Sequence, residues 1–188
     1  NFQSMHINLP FANDDEFGKL HAAIRLIMPM LPALFASSPM LDGRLTGFTD
    51  SRLEMYRHNQ AKIPSITGLV VPEPVFTKAD YTKQIFDPII RDIKPFDTNG
   101  VLDKHFLNSR GCIARFDRGA IEIRVLDLQE APMADLALAR FVVEVVKQLV
   151  DGHWVDTSSQ RQVSTELLHA QLLASIKDGS RAEIDADI

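Results

Sequence analysis

The residues best suited to chemistry are a glutamate and an arginine that alternate along one predicted β-strand. Glu122 and Arg124 are separated by Ile123, so their side chains leave the same face of the strand about 7 Å apart. A carboxylate can bind a hard cation through oxygen, and a guanidinium can hold a phosphate with two parallel hydrogen bonds. The pair is therefore a candidate ligand for a metal–phosphate group, although an isolated pair of this kind is more often a surface ion pair.

A β-hairpin is predicted to position this pair, because two β-rich runs flank a turn that ends in Gly119. The register of the hairpin decides which side chain lies beside Glu122. A three-residue loop over 117–119 pairs Ala114 with Glu122, whereas a two-residue loop over 118–119 places Arg115 there. We favour the three-residue loop because it gathers the isoleucines of both strands on one apolar face.

Two further stretches carry candidate binding residues. Residues 5–11 alternate polar and apolar side chains as a strand does, which places His6 and Asn8 on one face. A loop of glycine and small polar residues covers 37–52, and Thr49 or Asp50 is predicted to cap a helix to about residue 60. Arg52 then occupies the first helical turn, where the helix dipole disfavours a cation. We therefore expect Arg52 to meet an anion.

Helical spacing predicts the remaining large elements. Asn13 and Glu16 form a capping box for a helix that continues until Pro29 and Pro32 interrupt it. A long helix is predicted from Pro132 to about residue 150, and a final helix from about 158 to 177. Five apolar residues of the long helix are expected to cover the sheet: Met133, Leu136, Ala137, Val143 and Leu149.

Composition limits the kind of partner. The 188 residues are 45% hydrophobic and 24% charged, which suits one domain with a substantial core. A net charge of −5 without a basic run argues against nucleic acid, and no segment is long enough to span a membrane. The single cysteine, Cys112, excludes an intramolecular disulfide and is expected to be a buried strand thiol. A cytoplasmic location is therefore expected.

Four stretches in this order resemble the glutamate–cysteine ligase and glutamine synthetase superfamily, most closely its bacterial carboxylate–amine ligase branch. They are the strand of His6 and Asn8, the loop that ends at Arg52, the hairpin with its Glu-x-Arg strand over 108–129, and the following helix. Together they cover roughly residues 5 to 152. The resemblance implies an α+β fold with a largely antiparallel sheet and helices on one face, of the glutamine synthetase-like catalytic type.

The resemblance also implies an activity, in which ATP and Mg²⁺ serve to join a small-molecule carboxylate to an amine through an acyl phosphate. It implies that His6 and Glu122 are metal ligands, that Arg124 binds the γ-phosphate, and that Asn8 lines the metal or nucleotide site. Arg52 is implied to bind a carboxylate or phosphate and to act in catalysis.

Arg110 is the last implied binder of a carboxylate or phosphate. Members of the family begin with a strand carrying a Glu-x-Glu pair that supplies further metal ligands, and no such pair precedes His6. The single domain of residues 1–188 is therefore expected to be the C-terminal part of a larger ligase, inactive alone. It would be complete only with its N-terminal part or in a homo-oligomer. The alternative is a non-catalytic binding or assembly module derived from the same fold.

Overall fold

The computed structural model describes residues 3–185, and it contains two small antiparallel sheets among helices. The strands are β1 (Ser4–Pro10), β2 (Met40–Leu41), β3 (Arg44–Leu45), β4 (Cys112–Arg115) and β5 (Ala120–Asp127). The first five helices are α1 (Asp14–Ile27), α2 (Leu31–Phe35), α3 (Ser51–Tyr56), α4 (Lys78–Tyr81) and α5 (Asp87–Ile93). The last four are α6 (Lys104–Leu107), α7 (Pro132–Val150), α8 (Thr157–Gln162) and α9 (Thr165–Asp178).

The larger sheet has the strand order β1-β5-β4 and is antiparallel throughout. Its apolar face, which includes Ile7, Ile121 and Ile123, lies in the core, and α1 and α2 both contact β5. Helices α7 and α8 pack on α1, and α9 packs on α2. The α+β class with an antiparallel sheet is thus confirmed. None of the helices within 3–185 is long and apolar enough to cross a lipid bilayer.

A β-bulge interrupts the pairing of β1 with β5 at His6. Ile7 pairs with Ile123 and Met5 pairs with Leu126, so the two residues 124 and 125 face His6 alone. Because of the extra residue, the odd-numbered side chains of β5 after the bulge lie on the opposite face of the sheet from those before it. Asp127 consequently pairs with Ser4 on the polar side of the sheet.

The β4–β5 hairpin has neither of the registers considered from the sequence. Arg115 pairs with Ala120 across a four-residue loop, and Ile113 lies opposite Glu122. The preferred three-residue loop is therefore wrong. Two contacts account for the longer loop: the ring of Phe116 packs against other aromatic rings of the core, and Arg115 donates two hydrogen bonds to Asp117 at 3.1 and 2.9 Å.

The first helix forms as its sequence predicts. The side chain of Asn13 accepts a hydrogen bond from the amide of Glu16 at 3.0 Å, and the apolar stripe that begins at Phe17 is buried. The two prolines end the α-helix, since Met28–Met30 is a 3-10 turn before α2. Cys112 is buried, and burial raises the pKa of its thiol to about 12, which makes it a packing residue.

The packing of the later helices differs from expectation. Met133 and Leu136 are 74% and 62% exposed, so the prediction that they cover the sheet is wrong. The apolar face of β5 is already occupied by α1 and α2, and α7 forms an outer layer on α1. The predicted final helix is two helices, because Ser164 has extended backbone and caps α9 through the amide of Leu167.

Candidate functional site

The polar face of the larger sheet brings together the histidine and glutamate expected from the sequence. The Nδ1 atom of His6 lies 3.0 Å from Oε1 of Glu122 on the neighbouring strand. Arg124 donates to the same oxygen through Nη2 at 2.7 Å and Nε at 3.2 Å. His6 and Glu122, the two metal ligands implied by the resemblance, thus lie on one face of adjacent strands.

The electrostatics of this trio favour an ionised glutamate and a neutral histidine. Burial lowers the pKa of His6, and the charge of Glu122 only partly offsets it. Burial acts to raise the pKa of Glu122, but the hydrogen bond and charge of Arg124 outweigh it, and the pKa lies below its usual range. At neutral pH the trio thus offers a carboxylate, a guanidinium and an uncharged imidazole.

Helix α3 adds a second arginine to the same region. The side chain of Asp50 caps the helix by accepting from the amide of Leu53 at 2.7 Å, which fixes Arg52 in the first turn. Arg52 is buried and forms an ion pair through Nε with Asp127 at the end of β5. Its Nη2 is buried and has no hydrogen-bond partner among residues 3–185, so this donor remains available to an anion.

A cleft of about 350 Å³ lies between α3 and the polar face of the sheet. Its lining is Ser4, His6, Arg52, Tyr56, Asn59 and Arg124. The lining contains two guanidinium groups and no carboxylate, since Glu122 and Asp127, which pair with these arginines, are not part of it. The lining is therefore chemically suited to an oxyanion.

Tyr56 is a cleft residue that the sequence analysis missed. It follows Arg52 by four positions on α3, and this spacing places the two side chains on one face of a helix. That spacing was the available signal, but it became informative only once Arg52 was known to face the cleft.

Of the two remaining candidates, the structure places Asn8 beside the trio and Arg110 away from the cleft. Asn8 is exposed and pairs directly with Glu122 across the β1–β5 ladder, so it lies on the polar face beside the trio. Arg110 is not brought to the cleft. Its guanidinium is buried against Glu73, with two hydrogen bonds of 2.6 Å, and it also donates to the backbone oxygen of Ser65 at 3.1 Å. We therefore remove Arg110 from the candidate ligand-binding residues.

A larger cleft of about 640 Å³ lies elsewhere, between residues 64–74 and the start of α9. Its charged residues are Glu73, which is held by Arg110, Arg161, which stacks over the ring of Phe76 at 4.9 Å, and Glu166. Among the described residues both clefts contain an arginine nitrogen without a hydrogen-bond partner, Arg161 Nε in the larger and Arg52 Nη2 in the smaller, but the smaller one also has the trio of His6, Glu122 and Arg124. The candidate site is therefore the smaller one.

The donor set fits a Mg²⁺ ion that is shared with a phosphate-bearing substrate. Both hydrogen bonds from Arg124 and the contact with His6 end on Oε1 of Glu122, and Oε2 makes no hydrogen bond within residues 3–185. Mg²⁺ commonly takes one or two carboxylate ligands and fills its shell with water and phosphate oxygens. No group of three potential metal-binding side chains exists in the described part of the chain. Glu122 can therefore supply one ligand of a shared ion, not a complete protein cage.

Comparison with known proteins identifies the family of the chain. Residues 3–188 match the model of glutamate–cysteine ligase family 2 (GCS2). The chain is also 32% identical over 182 residues to an uncharacterized protein of Archaeoglobus fulgidus, an alignment that covers 94% of this chain and 49% of that protein. The chain thus spans about half the length of this relative. The family match includes the strand of His6, the loop before Arg52 and the Glu122–Arg124 strand, and the chain belongs to glutamate–cysteine ligase family 2.

Proposed function

We propose that the protein is an ATP-dependent carboxylate–amine ligase of the glutamate–cysteine type. The observation that carries the proposal is the cleft lined by Arg52, Arg124 and His6, in which Glu122 contacts both Arg124 and His6. In the proposed reaction a substrate carboxylate attacks the γ-phosphorus of ATP and releases ADP. The amine then attacks the acyl carbon, and the products are an amide and inorganic phosphate.

Such a reaction depends on positioning and on neutralising the charge of the transferring phosphoryl group. Glu122 orients Arg124 through Nε and Nη2, while Nη1 makes a long contact of 3.5 Å with the backbone oxygen of Asn108. This edge of the guanidinium is available to a γ-phosphate oxygen. Arg52 is fixed by Asp127 and presents Nη2 to the other side of the anion or to the carboxylate substrate.

Bound Mg²⁺ would neutralise the polyphosphate and draw its oxygens towards the strand. Oε2 of Glu122 is the proposed protein ligand. His6 is the second proposed ligand through Nε2, which now contacts the hydroxyl of Ser4 at 3.0 Å. This exposed contact is weak enough to be exchanged, and the lowered pKa of His6 keeps its nitrogen lone pair free at neutral pH. Asn8 lies beside the pair and is proposed to contact the metal's water shell or the nucleotide.

The proposed substrates are a small-molecule carboxylate and an amine, and the proposed site of action is the cytoplasm. The complete protein that carries this chain is incubated with Mg²⁺-ATP and a panel of amino acids that begins with glutamate. Hydroxylamine is added to capture an acyl phosphate as a hydroxamate. We expect ADP to form only when a carboxylate substrate is present, with hydroxamate in matching amount. ADP formation at the same rate without any carboxylate would refute the proposal.

A binding or assembly module is the second candidate function. It is favoured by one observation: the described residues contain no cluster of three metal-binding side chains. Calorimetric titration with Mg²⁺-ATP separates the candidates when it is combined with the ADP assay. A module of this kind would bind the nucleotide without forming ADP under any substrate condition.

A further inference from the structure

The hydroxyl of Tyr56 is a buried polar group that lacks a well-formed hydrogen bond within residues 3–185. The guanidinium of Arg124 and the hydroxyl of Ser109 interact with it, but neither contact has the geometry that would satisfy the hydroxyl. The Tyr56 side chain lines the cleft beside Arg52. A buried hydroxyl without a partner destabilises a folded protein. Retaining one is understandable if a ligand supplies the missing hydrogen bond.

The neighbouring charge determines how this hydroxyl can be used. The positive charge of Arg124 attracts the lone pairs of the phenol oxygen, so the O–H bond points away from the guanidinium. Burial raises the pKa of Tyr56 above its usual value, and the group therefore remains a protonated donor at neutral pH. A donor flanked by two arginines suits a negatively charged oxygen and cannot bind an ammonium group.

We propose that Tyr56 is a ligand-binding residue of this cleft, whose hydroxyl donates a hydrogen bond to an oxyanion held between Arg52 and Arg124. The inference rests on the proposed function, because it assumes that the cleft receives a phosphoryl or carboxylate group of the ligase reaction. Both groups offer the same acceptor chemistry. The experiment distinguishes them by using three probes: inorganic phosphate, Mg²⁺-ATP and glutamate.

The test variant is Tyr56→Phe, which removes only the hydroxyl. A hydrogen bond from a neutral donor to a charged acceptor is worth enough to weaken binding roughly tenfold to a hundredfold when it is lost. We expect that change in Kd for at least one probe, measured by calorimetric titration of the complete protein. The probe that loses affinity identifies whether the oxyanion is a phosphoryl or a carboxylate group.

The matched control is Tyr81→Phe, the same change at the other tyrosine of the sequence. The Tyr81 hydroxyl accepts hydrogen bonds from the side chain of Asn108 at 2.8 Å and the amide of Ala114 at 3.1 Å, so it has a structural role. We expect Tyr81→Phe to lower the Tm and to leave the Kd values nearly unchanged. Tyr56→Phe should do the reverse, with a Tm equal to or above that of the wild type.

A spectroscopic measurement completes the test. With the ring carbon that bears the hydroxyl labelled by ¹³C, the tyrosine signal that is absent from Tyr56→Phe should shift when the bound probe is added. An unchanged Kd for all three probes in Tyr56→Phe would overturn the inference. A fall in Tm as large as that of Tyr81→Phe would also overturn it. If Tyr56→Phe weakens binding as expected but ADP forms equally fast without a carboxylate, only the proposed function is refuted.

Discussion

Replacing Arg124 by lysine tests the strand on which the proposed chemistry depends. The guanidinium uses Nε and Nη2 to hold Glu122 and keeps Nη1 for a ligand. A lysine nitrogen can reach Glu122 or the phosphate, but it cannot hold both in one plane. About two charge-assisted hydrogen bonds are then lost in the transition state, each worth roughly 1.5 kcal/mol. Turnover should fall about a hundredfold, which is roughly 2.7 kcal/mol of barrier.

The assay is carboxylate-dependent ADP formation at saturating Mg²⁺-ATP, with kcat and KM determined separately. Arg118→Lys is the control, because it is the same substitution in the turn of the same hairpin, at a side chain that is 60% exposed. We expect the control to keep wild-type kinetics. If Arg124→Lys also kept normal turnover, Arg124 would not contact the transferring phosphate, and the proposed mechanism would fail.

Three further substitutions give predictions, two at or near the site and one in the core. Glu122→Gln should weaken the binding of Mg²⁺ in the ATP-dependent reaction at least tenfold, or about 1.4 kcal/mol. The dependence of the rate on Mg²⁺ concentration measures this, and an unchanged dependence would exclude Glu122 as a ligand. Burial and the charge of Asp127 raise the pKa of Asp50 to about 6, so its contribution to stability is lost as the pH rises from 3.8 to about 6. Asp50→Asn keeps the cap oxygen and should raise the free energy of unfolding at pH 8 by up to about 3 kcal/mol, and equal urea midpoints at pH 8 would contradict this. Burial lowers the pKa of His21 to about 3, so the free energy of unfolding falls as the pH drops from 6.5 to about 3. His21→Phe should remove on the order of 4 kcal/mol of this acid destabilisation. Urea unfolding at pH 7 and pH 4 measures it.

Local signals in the sequence predicted the elements well. The Asn13 cap, Pro132 at the first turn of α7 and the alternation around Ile123 depend on neighbours within a few residues, and the structure follows them. The position of His6 beside Glu122 came from the resemblance, since no local pattern specifies which strands pair.

Features that depend on tertiary packing were not predictable from these patterns. The hairpin register was set by the ring of Phe116 and by the pairing of Arg115 with Asp117. The exposure of Met133 followed from the occupation of the sheet by other helices. Arg110 lies away from the cleft because it pairs with Glu73, which is 37 residues away in the chain.

The bulge at His6 has a consequence for comparing and redesigning members of this family. Arg124 and Asp127 are three residues apart, an odd separation that would send their side chains to opposite sides of a regular strand. Deleting one of the two residues opposite His6 would remove the bulge, and the later side chains of β5 would keep their faces in a regular ladder. The alternation of residue types along β5 therefore cannot by itself assign a face to the residues after the bulge. In a comparison of family members, the face of the position equivalent to Asp127 follows from its pairing with β1 and not from its distance along the chain from Arg124.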